Sequence, residues 1–149
     1  MEVVVCDSYE DMSRRAADVF SAQIKKNPTS VLGLATGSTP LGLYAALVND
    51  YHDGIIDFSQ VTTFNLDEYR GLDPHHEQSY RHFMQKNLFA LVNICPQSTH
   101  VPNGVDAHAN AVCEAYEEAI VAAGGIDLQL LGLGHNGHIG FIQCHRRAR

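Results

Sequence analysis

Short apolar runs alternate along this chain with longer stretches in which apolar residues recur every three or four positions, and that alternation predicts strand following helix following strand. Glu2–Cys6 (EVVVC) reads as a strand, and Met12, Ala16, Val19, Phe20 and Ile24 then mark one face of a helix. Ser8 is the expected N-cap with Asp11 three positions on, and Asn27-Pro28-Thr29 ends the helix. Val31–Ala35 (VLGLA) is uniformly apolar, as a strand buried on both faces should be. A helix through Leu43, Tyr44 and Leu47 follows, with Thr39 expected as its N-cap and Pro40 as its first residue, and Asp53-Gly54 closes it. Val61–Asn65 predicts a third strand and Ser79–Leu91 a third helix. Ala107–Ala123 predicts a fourth helix, Gly124-Gly125 stops it, and Ile126–Leu131 returns as a strand. Parallel strands joined by helical crossovers follow from this order, so the expected class is a three-layer α/β fold with a mostly parallel, Rossmann-like sheet and helices on both faces.

With 149 residues, 45% of them hydrophobic and 18% charged, the chain suits one domain with a real core. No apolar run approaches the roughly 20 residues of a bilayer span, and no basic start precedes an apolar stretch, so a cytoplasmic protein with no membrane partner is expected. The net charge of −7 argues against a nucleic-acid partner. Cys6, Cys95, Cys113 and Cys144 show no Cys-x-x-Cys spacing and are expected as reduced thiols packed like small hydrophobes.

Three segments fall after strands, where ligands of open parallel sheets bind. Thr36–Pro40 (TGSTP) joins small residues and hydroxyls to a helix N-terminus, which suits either a phosphate cradle or an ordinary capped turn. It lacks the Gly-Lys-Ser/Thr of a nucleoside triphosphate loop. Asp67 and Glu68 follow the third strand directly, so one of them could act as a general base. Solvated acids paired with Arg70 or Arg81 are the commoner alternative. Gly132–Phe141 (GLGHNGHIGF) contains a formal G-x-G-x-x-G, but no second strand and acid follow at the dinucleotide spacing. Its glycines better serve a tight loop presenting His138, whose imidazole suits proton transfer near neutral pH. His135 and His138 are three apart on a loop, not a helix, so no metal site is expected. His52, His75, His76, His82, His100 and His108 are expected at the surface.

Taken in order, LGLATGSTPLGLYAAL, VTTFNLDEYRGL, QSYRHFM and LLGLGHNGHIGF closely resemble the glucosamine-6-phosphate deaminase family from the N-terminus to Phe141. The DEY-x-GL element separates these proteins from the related 6-phosphogluconolactonases. The resemblance implies isomerisation and deamination of glucosamine 6-phosphate to fructose 6-phosphate and ammonia, without metal or organic cofactor. By the family pattern Asp67 is the base that moves the C2 proton and His138 assists ring opening. Asn136 orients His138, and Gly37, Ser38 and Thr39 hold the phosphate. The implied partner is the sugar phosphate, with oligomerisation left open. A lactone hydrolase and a non-catalytic sugar-phosphate-binding fragment are the alternatives.

The family continues after Phe141 with Asn-Glu-Pro, whose Glu partners the catalytic His, and then with further strands and helices that include a phosphate-binding lysine. Here the chain reads Ile142, Gln143, Cys144, His145 and a basic end with Arg146, Arg147 and Arg149. The expectation is therefore the N-terminal part of one deaminase-like domain over 1–141, with 142–149 as a tail foreign to the family, marking a truncated or frame-shifted product.

Overall fold

The computed structural model describes residues 2–135, 137 and 139. Four parallel strands, β1 (Val31–Leu34), β2 (Thr62–Asn65), β3 (Thr99–His100) and β4 (Leu128–Gln129), form one sheet in the order β3-β2-β1-β4. Val31 to Leu34 pair in register with Thr62 to Asn65, while Leu32 and Gly33 pair with Leu128 and Gln129. The helices are α1 (Tyr9–Lys26), α2 (Leu41–His52), α3 (Tyr80–Asn87) and α4 (Ala109–Ala122). The chain runs outward from β1 to β2 and β3, then returns to β1's other side as β4. That reversal opens a crevice at the carboxyl ends of β1 and β4.

In a parallel pair, residues in register point to the same side of the sheet. Leu32 and Leu34 point into a core with Ala17, Phe20 and Ile24 of α1, Leu43, Tyr44 and Leu47 of α2, and Met84 of α3. Phe58, Val61 and Leu88 complete it. Phe64 points to the opposite face, where Tyr116 of α4 meets its ring edge-on at 5.6 Å. Three helices thus cover one face and α4 the other.

Helices α1 and α2 approach closely because position 42 is glycine: a Cβ there would lie 2.3 Å from Ser13 Oγ and 2.9 Å from the Tyr9 ring. A bidentate ion pair ties the same helices together, with Arg14 Nη1 and Nη2 donating to Asp50 at 3.0 and 2.7 Å and Ser21 Oγ adding a bond of 2.6 Å. Burial by itself would raise the Asp50 carboxyl, but Arg14, Ser21 and more distant Lys25 together hold it below the ordinary carboxylate value.

Several local expectations change. Glu2–Cys6 lies outside the sheet, with Val3 and Val5 at 75% and 88% exposure, and among the described residues no strand stands beside it to accept its backbone. Ser8 caps α1 as expected, its side chain accepting from Asp11 N–H. The expected third helix breaks at Leu88, whose backbone leaves helical geometry, and a separate 3₁₀ turn covers Phe89–Leu91. The short β3 carries no apolar pattern and was not legible beforehand. Cys95 and Cys113 are exposed instead of packed, and Cys144 lies outside the described residues. His100 is half-buried and stacks on Phe64 at 4.4 Å, so it is not a simple surface residue. Burial and the neighbouring Arg81 lower its pKa.

The Asp50 carboxylate, lowered in the folded state, contributes stability in full above the ordinary carboxylate range, and this is lost as pH falls through the folded value. Asp50→Asn should cost about 1–2 kcal/mol at pH 7, allowing for the partial exposure of Arg14. Urea titrations at pH 7 and pH 3 should show that loss at pH 7 and a smaller one at pH 3.

Candidate active site

The crevice at the carboxyl end of the sheet holds a cavity of about 480 Å³. Its walls are the turn after β1 (Thr36–Thr39), Leu66 and Asp67 after β2, Tyr80 at the start of α3, and 130–135 after β4. Met12, Ser13 and Ala16 of α1 close one side.

Two tyrosines fix the turn after β1 at its ends. Tyr44 of α2 is fully buried, donates to Ala35 C=O and accepts from Ala35 N–H at 3.2 Å. Burial drives its phenol far above the usual value, with the Ala35 bond opposing, so it stays a neutral strut. Tyr9 of α1 donates to Thr39 C=O at 2.9 Å and accepts from Gly42 N–H at 2.8 Å. The expected Thr39 N-cap is therefore corrected: Pro40 occupies that position, no side chain of the turn caps α2, and the Tyr9 hydroxyl takes a first-turn N–H instead. Gly37 has φ +104°, a conformation that favours glycine, and a Cβ there would meet nothing within 4 Å. Among the described residues, the N–H groups of Gly37, Ser38 and Thr39 donate to no protein acceptor. With the N-terminus of α2 behind them they are donors of the kind that can take an anion.

The two acids after β2 divide their work. Asp67 is half-buried and lines the cavity. The Glu68 carboxylate instead accepts from Tyr69 N–H at 2.8 Å and Tyr80 N–H at 2.9 Å through Oε1, and from Arg81 N–H at 3.0 Å through Oε2. The last two are N–H groups at the start of α3 that would otherwise lack partners, and a carboxylate satisfies them with charge to spare. Ser79 Oγ accepts from His82 N–H and completes the cap. The commoner pairing of these acids with arginine does not describe Glu68, since its partners are backbone groups, Arg81's included. The guanidinium of Arg81 turns to Thr99 instead. Asp67 is thereby held between a strand end and a capped helix. Asn65 Nδ2 donates to Leu34 C=O at 3.1 Å, tying the ends of β1 and β2, and Tyr116 Oη donates to Asn65 C=O at 2.7 Å.

Beyond β4, an antiparallel bridge between Leu133 and Ile139 and a bond of 2.8 Å from Gly137 N–H to Gly134 C=O close the Gly-rich segment into a tight turn. Among the described residues of this segment none is helical, unlike the dinucleotide pattern. His135 lines the cavity, whereas Asn136 and His138 lie outside the described residues. Among the described residues, no group of three or more His, Cys, Asp or Glu could hold a metal ion.

Of the sequence candidates, Asp67, Gly37, Ser38 and Thr39 come together around one cavity. Tyr80 and Tyr9 went unnoticed in the sequence. Tyr80 reaches the wall through the loop that folds α3 back onto β2, and its ring lies 4.8 Å from that of Tyr69. Its phenol is raised by burial and by Tyr69, with Thr36 opposing. Its signals were its place inside the QSYRHFM motif and directly after the capping Ser79.

Residues 7–142 match the family described as glucosamine-6-phosphate isomerases/6-phosphogluconolactonase. The chain belongs to this family. A glucosamine-6-phosphate deaminase of Lachnoclostridium phytofermentans is 56% identical over 95% of this chain and 60% of its own length. One from Clostridium perfringens is 54% identical over 95% and 58%, respectively. The solved structure of a monomeric glucosamine-6-phosphate deaminase superposes with a TM-score of 0.92 at 41% identity, over 95% of this chain and 58% of that one. The 6-phosphogluconolactonase of Thermotoga maritima shares the fold at TM-score 0.76 and 23% identity. The chain spans somewhat less than two thirds of the length of these relatives.

Glu68→Ala should leave the N–H groups of Tyr80 and Arg81 without a carboxylate. The expected cost is about 1–2 kcal/mol, with faster hydrogen exchange at the start of α3 and little change in α1. Unchanged exchange at Tyr80 and Arg81 would remove Glu68 from this role.

Proposed function

We infer that this chain carries the substrate-binding part of a glucosamine-6-phosphate deaminase, acting in the isomerisation and deamination of glucosamine 6-phosphate to fructose 6-phosphate and ammonia. The observation that carries the reading is the placement of Asp67 and the Gly37–Thr39 turn on walls of one cavity. A sugar phosphate fits this arrangement: its dianion takes the free amides at the start of α2, and its ring then extends toward the carboxylate after β2.

The chemistry asks for proton movement only. Opening the pyranose ring transfers a proton to the ring oxygen, and His138, oriented by Asn136, serves that step. Asp67 then takes the proton from C2 of the open-chain aldehyde and returns it at C1, passing through an enolamine. Water adds at C2 as the ketose forms and ammonia leaves. A carboxylate and an imidazole suffice for these transfers, so the reading needs no metal or organic cofactor. Glu68 positions Asp67 by anchoring the segment that follows it.

A lactone hydrolase on the same scaffold is the weaker reading. The relatives above 50% identity carry the deaminase name, while the lactonase likeness, at 23% identity, is one of fold. No helix among the described residues is long and apolar enough to cross a membrane.

Ammonia release from glucosamine 6-phosphate should fall about 10²- to 10⁴-fold in Asp67→Asn. Equal turnover by the variant, or hydrolysis of the phosphogluconolactone without ammonia release, would overturn the assignment. Saturable binding of the sugar phosphate with no product from the unaltered chain would favour the non-catalytic binding fragment. In a separate measurement, Gly37→Val should weaken sugar-phosphate binding about tenfold or more in calorimetry, because a β-branched residue resists positive φ. It should leave the thermal melt within a few degrees of the parent.

A further inference from the structure

Three tyrosines reach the turn after β1, and they come from different sides of the cavity. Tyr44 and Tyr9 hold it at Ala35 and at Thr39, from α2 and α1 respectively. The third is Tyr80 at the start of α3, whose hydroxyl meets the side chain of Thr36 within the turn and that of Tyr69 in the segment carrying Asp67. Its ring lies 4.8 Å from the Tyr69 ring, and its backbone N–H donates to the Glu68 carboxylate at 2.9 Å. Burial and Tyr69 raise the phenol, with Thr36 opposing, so the hydroxyl keeps its proton across the ordinary pH range. Tyr69 is itself held from the far side. Gly71 N–H donates to Gly104 C=O at 2.7 Å, and a Cβ on Gly104 would lie 2.2 Å from Tyr69 C=O. The segment after β3 therefore presses on the backbone of the acid segment, which leaves Tyr69 little room to move away from Tyr80.

Asn65 Nδ2 joins the ends of β1 and β2, and the Tyr80 hydroxyl joins the two segments that leave them. One of those segments carries the amides of Gly37 to Thr39, and the other carries Asp67. We propose that Tyr80 is a positioning residue: its hydroxyl latches the turn after β1 to the segment after β2, so that an anion on the Gly37–Thr39 amides also orders the segment that carries Asp67. This rests on the reading of that turn as the phosphate site and deepens it. A phosphate bound there need not touch Asp67 to act on it. Ordering Thr36 orders its partner Tyr80, and through Tyr80 the Tyr69 side chain two residues beyond the carboxylate. The link is reciprocal, as coupling between two sites must be. Binding energy from the phosphate end of a sugar phosphate then goes into holding the base in place, which raises turnover more than affinity.

The probe is inorganic phosphate, which needs no turnover. In the unaltered chain, saturating phosphate should slow hydrogen exchange at Gly37 to Thr39 and, about fivefold or more, at Tyr69 and Gly71. Tyr80→Phe keeps the ring against Tyr69 and removes the hydroxyl. It should still bind phosphate within about threefold of the parent, with protection at the turn retained and that at Tyr69 and Gly71 lost. Thr36→Val cuts the same link from its other end, so it should reproduce that pattern, and the double variant should add nothing to either single one. A merely structural Tyr80 would instead change exchange at Tyr69 and Gly71 equally with and without phosphate. That result, protection of Tyr69 and Gly71 by phosphate in both variants, or absence of that protection in the unaltered chain would each overturn the proposal. Absence of phosphate protection at the turn itself would overturn the anion site together with the latch built on it. Transmission to Tyr69 and Gly71 without ammonia release from glucosamine 6-phosphate would count against the assigned reaction and leave the latch standing.

Discussion

Tyr9 and Tyr44 reach from two helices into the turn after β1 and hold both of its ends, Tyr44 at Ala35 and Tyr9 at Thr39 and Gly42. The hydroxyls can do this because α1 and α2 already lie in contact. That contact depends on the absent Cβ of Gly42 and on the Arg14–Asp50 ion pair. Everything the cavity offers an anion follows from it. If the turn were released, its backbone would no longer be held at both ends, and the entropy of ordering it would fall on any ligand.

A similar economy governs the acid side of the cavity. An isolated Asp-Glu pair on a loop would be two hydrated charges, but here Glu68 is spent on the N-terminus of α3, and that fixes where Asp67 stands. Asn65 and Tyr116 bind the strand ends behind it. The cavity is thus carried by side chains that do not line it, and Asp67 and the turn after β1 are held at strand ends and helix starts.

Cover is less even across the sheet. The face under α1, α2 and α3 is closed, with Phe58, Leu47 and Met84 at or near zero exposure, while the face under α4 is thinly covered. The carboxyl-edge cavity gathers most of its walls from the well-packed side and from the turn beyond β4. The geometry around Asp67 and Gly37 is therefore anchored in the closed core, whereas the wall formed by 130–135 hangs from a two-residue strand at the sheet edge.

The hydrophobic pattern of the chain by itself determined the alternation of strand and helix, the parallel sheet, and the three segments that follow strands. These features rest on local periodicity and on the rule that ligands gather at strand ends. Its motifs also carried the family, because TGSTP, DEYRGL and GHNGHIGF each join a backbone need to a chemical one. Only the tertiary structure decided what depends on residues far apart in sequence: Tyr9, not Thr39, serving the start of α2, the assignment of Glu68 to α3 and Asp67 to the cavity, and Tyr80 as a wall. The Glu2–Cys6 run shows the same limit from the other side. A β-branched pattern states what a segment can do, but a strand exists only where another strand stands beside it to share hydrogen bonds, and within this sheet none does.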